Sequence, residues 1–201
     1  AAVQNRDTDM STPAKVLAPG ELRRVQKHAA RGRFPLRNRV MVLLSFKAGL
    51  RACEIAGLDW SMVLGPSGRV GTSLVVGRGI AKNGKARRLP LHDELRITLE
   101  LLNKLQGRPR EGPVVRSQRG GCMTPRSVVN WFKALYDDTG LCGCSSHSGR
   151  RTFITLSARL ISRAGGSLRD VQELAGHRDL STTQRYIEGD RDAQRKLVAM
   201  L

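Results

Sequence analysis

Apolar residues recur at helical spacing through most of this chain. In residues 36–48 they are dense (Val40, Val42, Leu43, Leu44, Phe46), so this segment reads as a helix buried in the core, with Gly49 as its left-handed cap. Ahead of it, Pro19-Gly20 leads into a helix over 21–30, with Leu22 and Val25 on one side and Arg23, Arg24, Lys27 and Arg31 as a solvated or phosphate-facing surface. Residues 50–58 form a second, short helix, with Arg51 at its start and Glu54 one turn on. An arginine between two apolar helices must be paired or must sit at a cleft. A structural ion pair with Glu54 is the plainer of those readings.

From Val70 the period changes. Residues 70–76 are β-branched and short, and 87–91 supply a second strand. Asn83-Gly84 between them signals a tight hairpin turn, flanked by Lys82 and Lys85 at the tip of a basic finger. Such a tip can reach a phosphate or a groove, or be no more than an exposed turn. A helix follows from His92-Asp93 to about residue 106, with Leu95, Ile97, Leu99, Leu102 and Leu105 toward the core. The Gly/Pro/Arg-rich stretch 107–121 contains a short strand at Val114-Val115. Thr124-Pro125 opens a helix to about residue 138, whose apolar pattern makes Tyr136 a core or rim residue. Ser145 or Ser146 caps the next helix, placing His147 and Arg150 on one face near an anion-favouring N-terminus. After Gly165-Gly166, Ser167 caps 168–174, Gly176 ends that helix and His177 follows. Ser181, Thr182 and Thr183 cap a last short turn that presents Tyr186. Residues 190–201 read as an amphipathic helix with Ala193, Leu197, Val198 and Leu201 as its stripe. The pattern predicts a mainly α (α+β) fold, a helical bundle with a small antiparallel β-hairpin. Residues 1–15 read as a flexible tail or linker stub.

Charge narrows the partner. The 201 residues carry 35 Lys plus Arg against 17 Asp plus Glu, a formal +18. That excess favours a polyanion, nucleic acid first and an anionic membrane surface second, over a merely solvated basic surface. Four cysteines, at 53, 122, 142 and 144, form no C-x-x-C pair. Cys142, Cys144 and His147 would make half a zinc site, with no second cluster to complete it. Reduced thiols, no apolar run of about 18 residues and no signal peptide point to a cytoplasmic protein that does not span a membrane.

A constellation of polar side chains remains: Arg51, Lys82 or Lys85, His147, Arg150, His177 and Tyr186. Tyr186 lies nine residues after His177, and the only other tyrosine is Tyr136. In four separated pieces this set resembles the catalytic domain of the tyrosine recombinases, the phage-integrase family. Gly49-Leu50-Arg51-Ala52-Cys53-Glu54-Ile55 is similar to that family's first-arginine box, and Lys82 through Leu91 to its lysine-bearing β-turn. His147-x-x-Arg150 with Thr152-Phe153 resembles the second-arginine box, and Leu174-Ala175-Gly176-His177 through Tyr186 the Gly-His and tyrosine pieces. Gly149 and Ala175 depart from it by standing where leucines are usual.

The resemblance implies a site-specific DNA recombinase or integrase with its catalytic domain over 16–189. Tyr186 would attack a phosphodiester and form a 3′-phosphotyrosyl bond, needing no metal and no nucleotide cofactor. Arg51 and Arg150 would clamp the non-bridging oxygens. Lys82, or else Lys85, would protonate the leaving 5′-oxygen. His147 and His177 would hydrogen-bond the phosphate or carry the tyrosine's proton, and Glu54 would orient Arg51. Arg78, Lys85, Arg87 and Arg151 would meet the DNA. The implied partners are double-stranded DNA and a homo-tetramer assembled on it at the nucleoid, with no membrane and no small-molecule substrate. Helix 190–201 would be exchanged between protomers or packed in cis. A core-binding domain usually precedes this fold, so the chain reads as an excised domain or a compact form without that clamp. The alternatives are a type IB topoisomerase-like nicking and resealing enzyme and a non-catalytic DNA-binding module.

Overall fold

The computed structural model describes residues 14–186 together with 198 and 199. The tail expected over 1–15 and the exchanged helix over 190–201 therefore lie almost wholly outside the described residues.

Helix α1 (Pro19–Ala29) opens with a proline in its first turn, and the Glu21 carboxylate accepts from the Ala18 N–H at 2.9 Å. Helix α2 (Pro35–Lys47) is the centre of the core: Val40, Met41, Val42, Leu43 and Leu44 are all fully buried. A helix covered on every side carries a continuous apolar run rather than a stripe. Helices α1, α4 and α6 pack around it. Helix α3 (Ala52–Ala56) is shorter than the segment 50–58 predicted and packs against α5.

Strands β1 (Ser73–Val76) and β2 (Arg87–Pro90) pair antiparallel, with Val76 opposite Arg87. The connection therefore spans 77–86, and Asn83-Gly84 does not close a two-residue hairpin. Gly84 takes φ +62° inside that longer loop, in a turn where its N–H donates to the Ala81 carbonyl at 2.9 Å. The ladder stops early because the loop packs inward. Ile80 and Ala81 rest on the core, and Ile80 lies over Gly57, where a Cβ would meet its Cγ2 at 2.5 Å.

Helix α4 (Asp93–Leu105) buries Leu95, Thr98, Leu99, Leu102 and Asn103. Ile97 and Leu105, expected inside, are 54% and 71% exposed, because the i, i+3, i+4 row through Leu95 turns them outward. Val114 and Val115 are fully buried but form no strand, since their neighbours make only isolated bridges, Asp59 with Pro113 and Arg116 with Cys122. Helix α5 (Pro125–Asp138) is capped by Thr124, whose hydroxyl accepts from the Ser127 N–H at 3.1 Å, and it buries Tyr136.

Helix α6 (Ser148–Leu160) crosses α2 closely. A Cβ on Gly149 would strike the Ser45 side chain and lie 3.0 Å from Phe46 Cδ2, which accounts for glycine where leucine is usual. Helix α7 (Leu168–Ala175) ends at Gly176, φ +62°. Helix α8 (Leu180–Gln184) is preceded by Asp179, so Ser181, Thr182 and Thr183 lie within it rather than cap it. A small separate core joins α6 to α7: Ile154, Val171 and Ala175, with Phe153, Ile161 and Tyr186 packed on it.

Candidate active site

The site is built where three helix ends meet. Arg51 precedes α3, and Glu54 reaches back to it twice, accepting from the Arg51 N–H at 2.9 Å and from its Nη1 at 3.2 Å. The Glu54 side chain is completely buried. Its other contact is Arg87 of β2, whose Nη1 and Nη2 donate to the two carboxylate oxygens at 2.8 and 2.9 Å. One carboxylate thus separates two guanidiniums. Burial alone would raise the Glu54 pKa, but the hydrogen bonds and charge of Arg87, then the N–H and charge of Arg51, hold it below the usual carboxylate value.

Arg150 enters from α6 and is 4% exposed. Its Nη1 donates to the Gly49 carbonyl and its Nη2 to the Ala175 carbonyl, both at 2.6 Å. Those bonds tie the first-arginine segment to the end of α7. Burial first, then the positive charges of Arg51 and Arg87, bring the Arg150 pKa down to about 10 against the opposing pull of Glu54. The side chain remains a cation at neutral pH.

His177 follows the left-handed turn at Gly176. Its Nδ1 lies 2.9 Å from Thr183 Oγ1, and its ring stacks on Tyr186 with centroids 5.6 Å apart and planes at 21°. Burial, then the charges of Arg150, Arg51 and Arg87, lower its pKa to about 4. His147, at the start of α6, is lowered as well, by partial desolvation and by the charges of Arg150, Lys82 and Arg51. Both imidazoles are therefore neutral at pH 7, and both register one positive field.

Tyr186 is half-buried. Its N–H donates to the Thr183 carbonyl at 3.1 Å. The Arg151 guanidinium lies over its ring at 5.6 Å, a cation–π contact. Lys82 is exposed on the 77–86 loop and lines a cleft of about 820 Å³ together with Arg51, Lys85, Arg88, His177 and Arg178.

Arg51, Lys82 and His177 line one cleft, the charge of Arg150 is felt at His147 and His177, Tyr186 stacks on His177, and Glu54 holds Arg51. Lys85 lines the same cleft, and Arg78 is exposed on the same loop. Arg87 turns largely inward: its side chain is 10% exposed and bonded to Glu54 and to the Leu174 carbonyl, and it reaches the wall of the same cleft. Tyr136 is 1% exposed, and burial pushes its phenol pKa well above the ordinary value, which removes it as a nucleophile. Among the described residues no cluster of three or more His, Cys, Asp or Glu could hold a metal. Sequence reasoning missed Thr183 and Asn83. Nothing in a Ser-Thr-Thr run marks which hydroxyl meets a histidine, and Asn83 reads as turn chemistry alone.

The mainly α architecture with one small hairpin has counterparts among solved structures. The crystal structure of XerA recombinase superposes at a TM-score of 0.72 with 20% identity, covering 98% of this chain and 66% of that one. The Tn1549 transposon integrase in complex with transposon right end DNA gives 0.72 with 17% identity, covering 96% and 68%. Identities this low show the fold alone. The chain belongs to the phage integrase family, whose family model matches residues 15–192. It is 34% identical over 158 residues to the tyrosine recombinase XerC of Actinobacillus succinogenes, covering 77% of this chain and 50% of that protein. It is 36% identical over 153 residues to the tyrosine recombinase XerC of Bradyrhizobium diazoefficiens, covering 75% and 45%. The chain thus spans about half the length of these relatives.

Proposed function

We propose that this chain is the catalytic part of a site-specific DNA recombinase that cuts and rejoins strands through Tyr186. The observation that carries the reading is the shared positive field of Arg51 and Arg150. Burial and that field together lower both histidines, and the ring of Tyr186 lies against one of them. A cation cluster in which Arg51 and Arg87 share the Glu54 carboxylate favours an anion the size of a phosphate. The solved XerH recombinase bound to difH, at a TM-score of 0.69 and 21% identity, and the Tn1549 complex are DNA-bound proteins of this fold, which supports duplex DNA as the partner.

The phenol oxygen of Tyr186 attacks phosphorus, and the bond to the 5′-oxygen breaks. A 3′-phosphotyrosyl link conserves the diester, so a later 5′-hydroxyl can reverse the step without a cofactor. Arg51 and Arg150 hold the charge that develops on the non-bridging oxygens. The departing 5′-oxygen takes its proton from Lys82, whose charge already reaches His147, or from Lys85 on the same loop. His177 has Nδ1 engaged with Thr183, which leaves Nε2 for the phosphate or the phenol proton. A bound phosphate also opposes the positive field that adds to burial in keeping both imidazoles neutral. The arginine clamp makes a metal unnecessary, and the complete enzyme acts as a tetramer on two DNA sites.

The test is a duplex nicked beside the scissile phosphate, incubated with protein in EDTA and resolved in SDS. The wild-type chain is expected to form a covalent adduct, Tyr136→Phe to retain it and Tyr186→Phe to lose it. Lys82→Ala and Lys85→Ala, assayed beside a substrate with a 5′-thiol leaving group that needs no protonation, identify the general acid as the lysine whose loss that substrate rescues. An adduct that persists in Tyr186→Phe would falsify the assignment.

A further inference from the structure

The last three carbonyls at the end of α7 are each taken by a donor from a different part of the chain. Arg87 Nε donates to Leu174 at 3.2 Å, Arg150 Nη2 to Ala175 at 2.6 Å, and Asn83 Nδ2 to Gly176 at 3.3 Å. A helix C-terminus leaves such carbonyls open and carries partial negative charge, so cations converge there. Of the three donors, Arg87 does one thing more. The remaining two arms of its fork hold both oxygens of Glu54, the carboxylate that also holds Arg51. Its path is tightly built: Gly176 sits at φ +62°, and a Cβ there would come within 2.9 Å of Arg87 Cδ.

We propose that Arg87 is a positioning residue: through Glu54 it fixes the guanidinium of Arg51, and through Leu174 it fixes the corner that carries His177, without touching DNA itself. The inference rests on the strand-cleavage reading given above. One planar fork makes all three bonds at once. A lysine ammonium is a point donor on a flexible stem and cannot span the carboxylate and the carbonyl in that geometry.

The experiment measures three things for the wild type, Arg87→Lys, Arg51→Ala and the double variant. These are the single-turnover rate of adduct formation on the nicked duplex at saturating protein, the Kd for that duplex with its salt dependence, and the melting temperature. Arg87→Lys is expected to slow adduct formation about 100-fold, the scale of a misplacement near 1 Å. Kd should change by less than roughly twofold and the salt slope not at all, because no phosphate contact is lost. The double variant should lose less than the product of the two single losses, since part of the Arg87 effect runs through Arg51 and the rest through the His177 corner. Rate losses that multiply, an unchanged rate in Arg87→Lys, or a salt slope lowered by about one overturn the proposal. If Arg87→Lys does not fold, Arg87→Gln, which keeps a planar donor but cannot span both partners, is read against the same expectations. A wild-type chain that forms no adduct sinks the parent reading and this inference with it. A wild-type adduct with an indifferent Arg87→Lys sinks this inference alone.

Discussion

Glu54 is the carboxylate that lies between Arg51 and Arg87, and its burial sets what its removal costs. Glu54→Ala leaves the guanidiniums of Arg51 and Arg87 desolvated without their partner, and urea denaturation should show a loss of about 3–5 kcal/mol. Because the folded-state pKa of Glu54 is lowered, its contribution is present above the ordinary carboxylate range and fades as pH falls through the folded value. His177 works against stability over its own window. Between its ordinary 6.5 and about 4 in the fold, the unfolded chain binds a proton that the folded chain does not, so stability falls as pH drops through that range. Histidine NMR should find the His177 ring neutral down to pH 5 in the free protein. The midpoint should rise when duplex DNA brings a phosphate beside the arginines. A free-protein midpoint near 6.5 would remove the positive field on which the site reading depends.

At the scale of elements, the two cores predict two stabilities. Helix α2 is sheathed by α1, α4 and α6, whereas α7 and Tyr186 rest on a cluster that among the described residues has three fully buried members, Ile154, Val171 and Ala175. Hydrogen exchange should therefore open the amides of 168–186 well before those of 40–44. Ile154→Ala, expected to cost about 2–5 kcal/mol, should widen that gap. Equal protection across both segments would argue against a separate small core. Gly149→Leu should destabilise by about 1–3 kcal/mol or more through overpacking against Ser45 and Phe46, which melting experiments can check. Element types were legible in the sequence because the period of apolar positions and the Thr124-Pro125 and Gly176 signals are local. The 77–86 loop was misread because Ile80 docks on Gly57, a contact between distant segments that no turn propensity encodes. Ile97 and Leu105 were misplaced because several apolar rows run along α4 and only packing against α2 chooses among them. The candidate catalytic side chains were readable as four motifs. The inward turn of Arg87 was not, since a surface-strand arginine and a buried one look alike in a sequence.

For the molecule as a whole, the formal +18 sets how it finds and holds DNA. If binding displaces counterions from 6–10 phosphates, affinity should fall by about 10³–10⁵ between 50 and 200 mM salt, measured by fluorescence anisotropy on a random duplex. A flat salt response would mean that the charge serves solubility only. On the proposed reading, scattered cations, two neutral histidines and one phenol make a single strand-cleaving site, and peptide mapping of the trapped protein–DNA adduct by mass spectrometry is the sharpest check of it. One modified peptide is expected, with a nucleotide joined through its 3′-phosphate to the oxygen of Tyr186, formed equally well in EDTA. A nucleotide found on any other side chain, or an adduct that appears only with added metal, contradicts it.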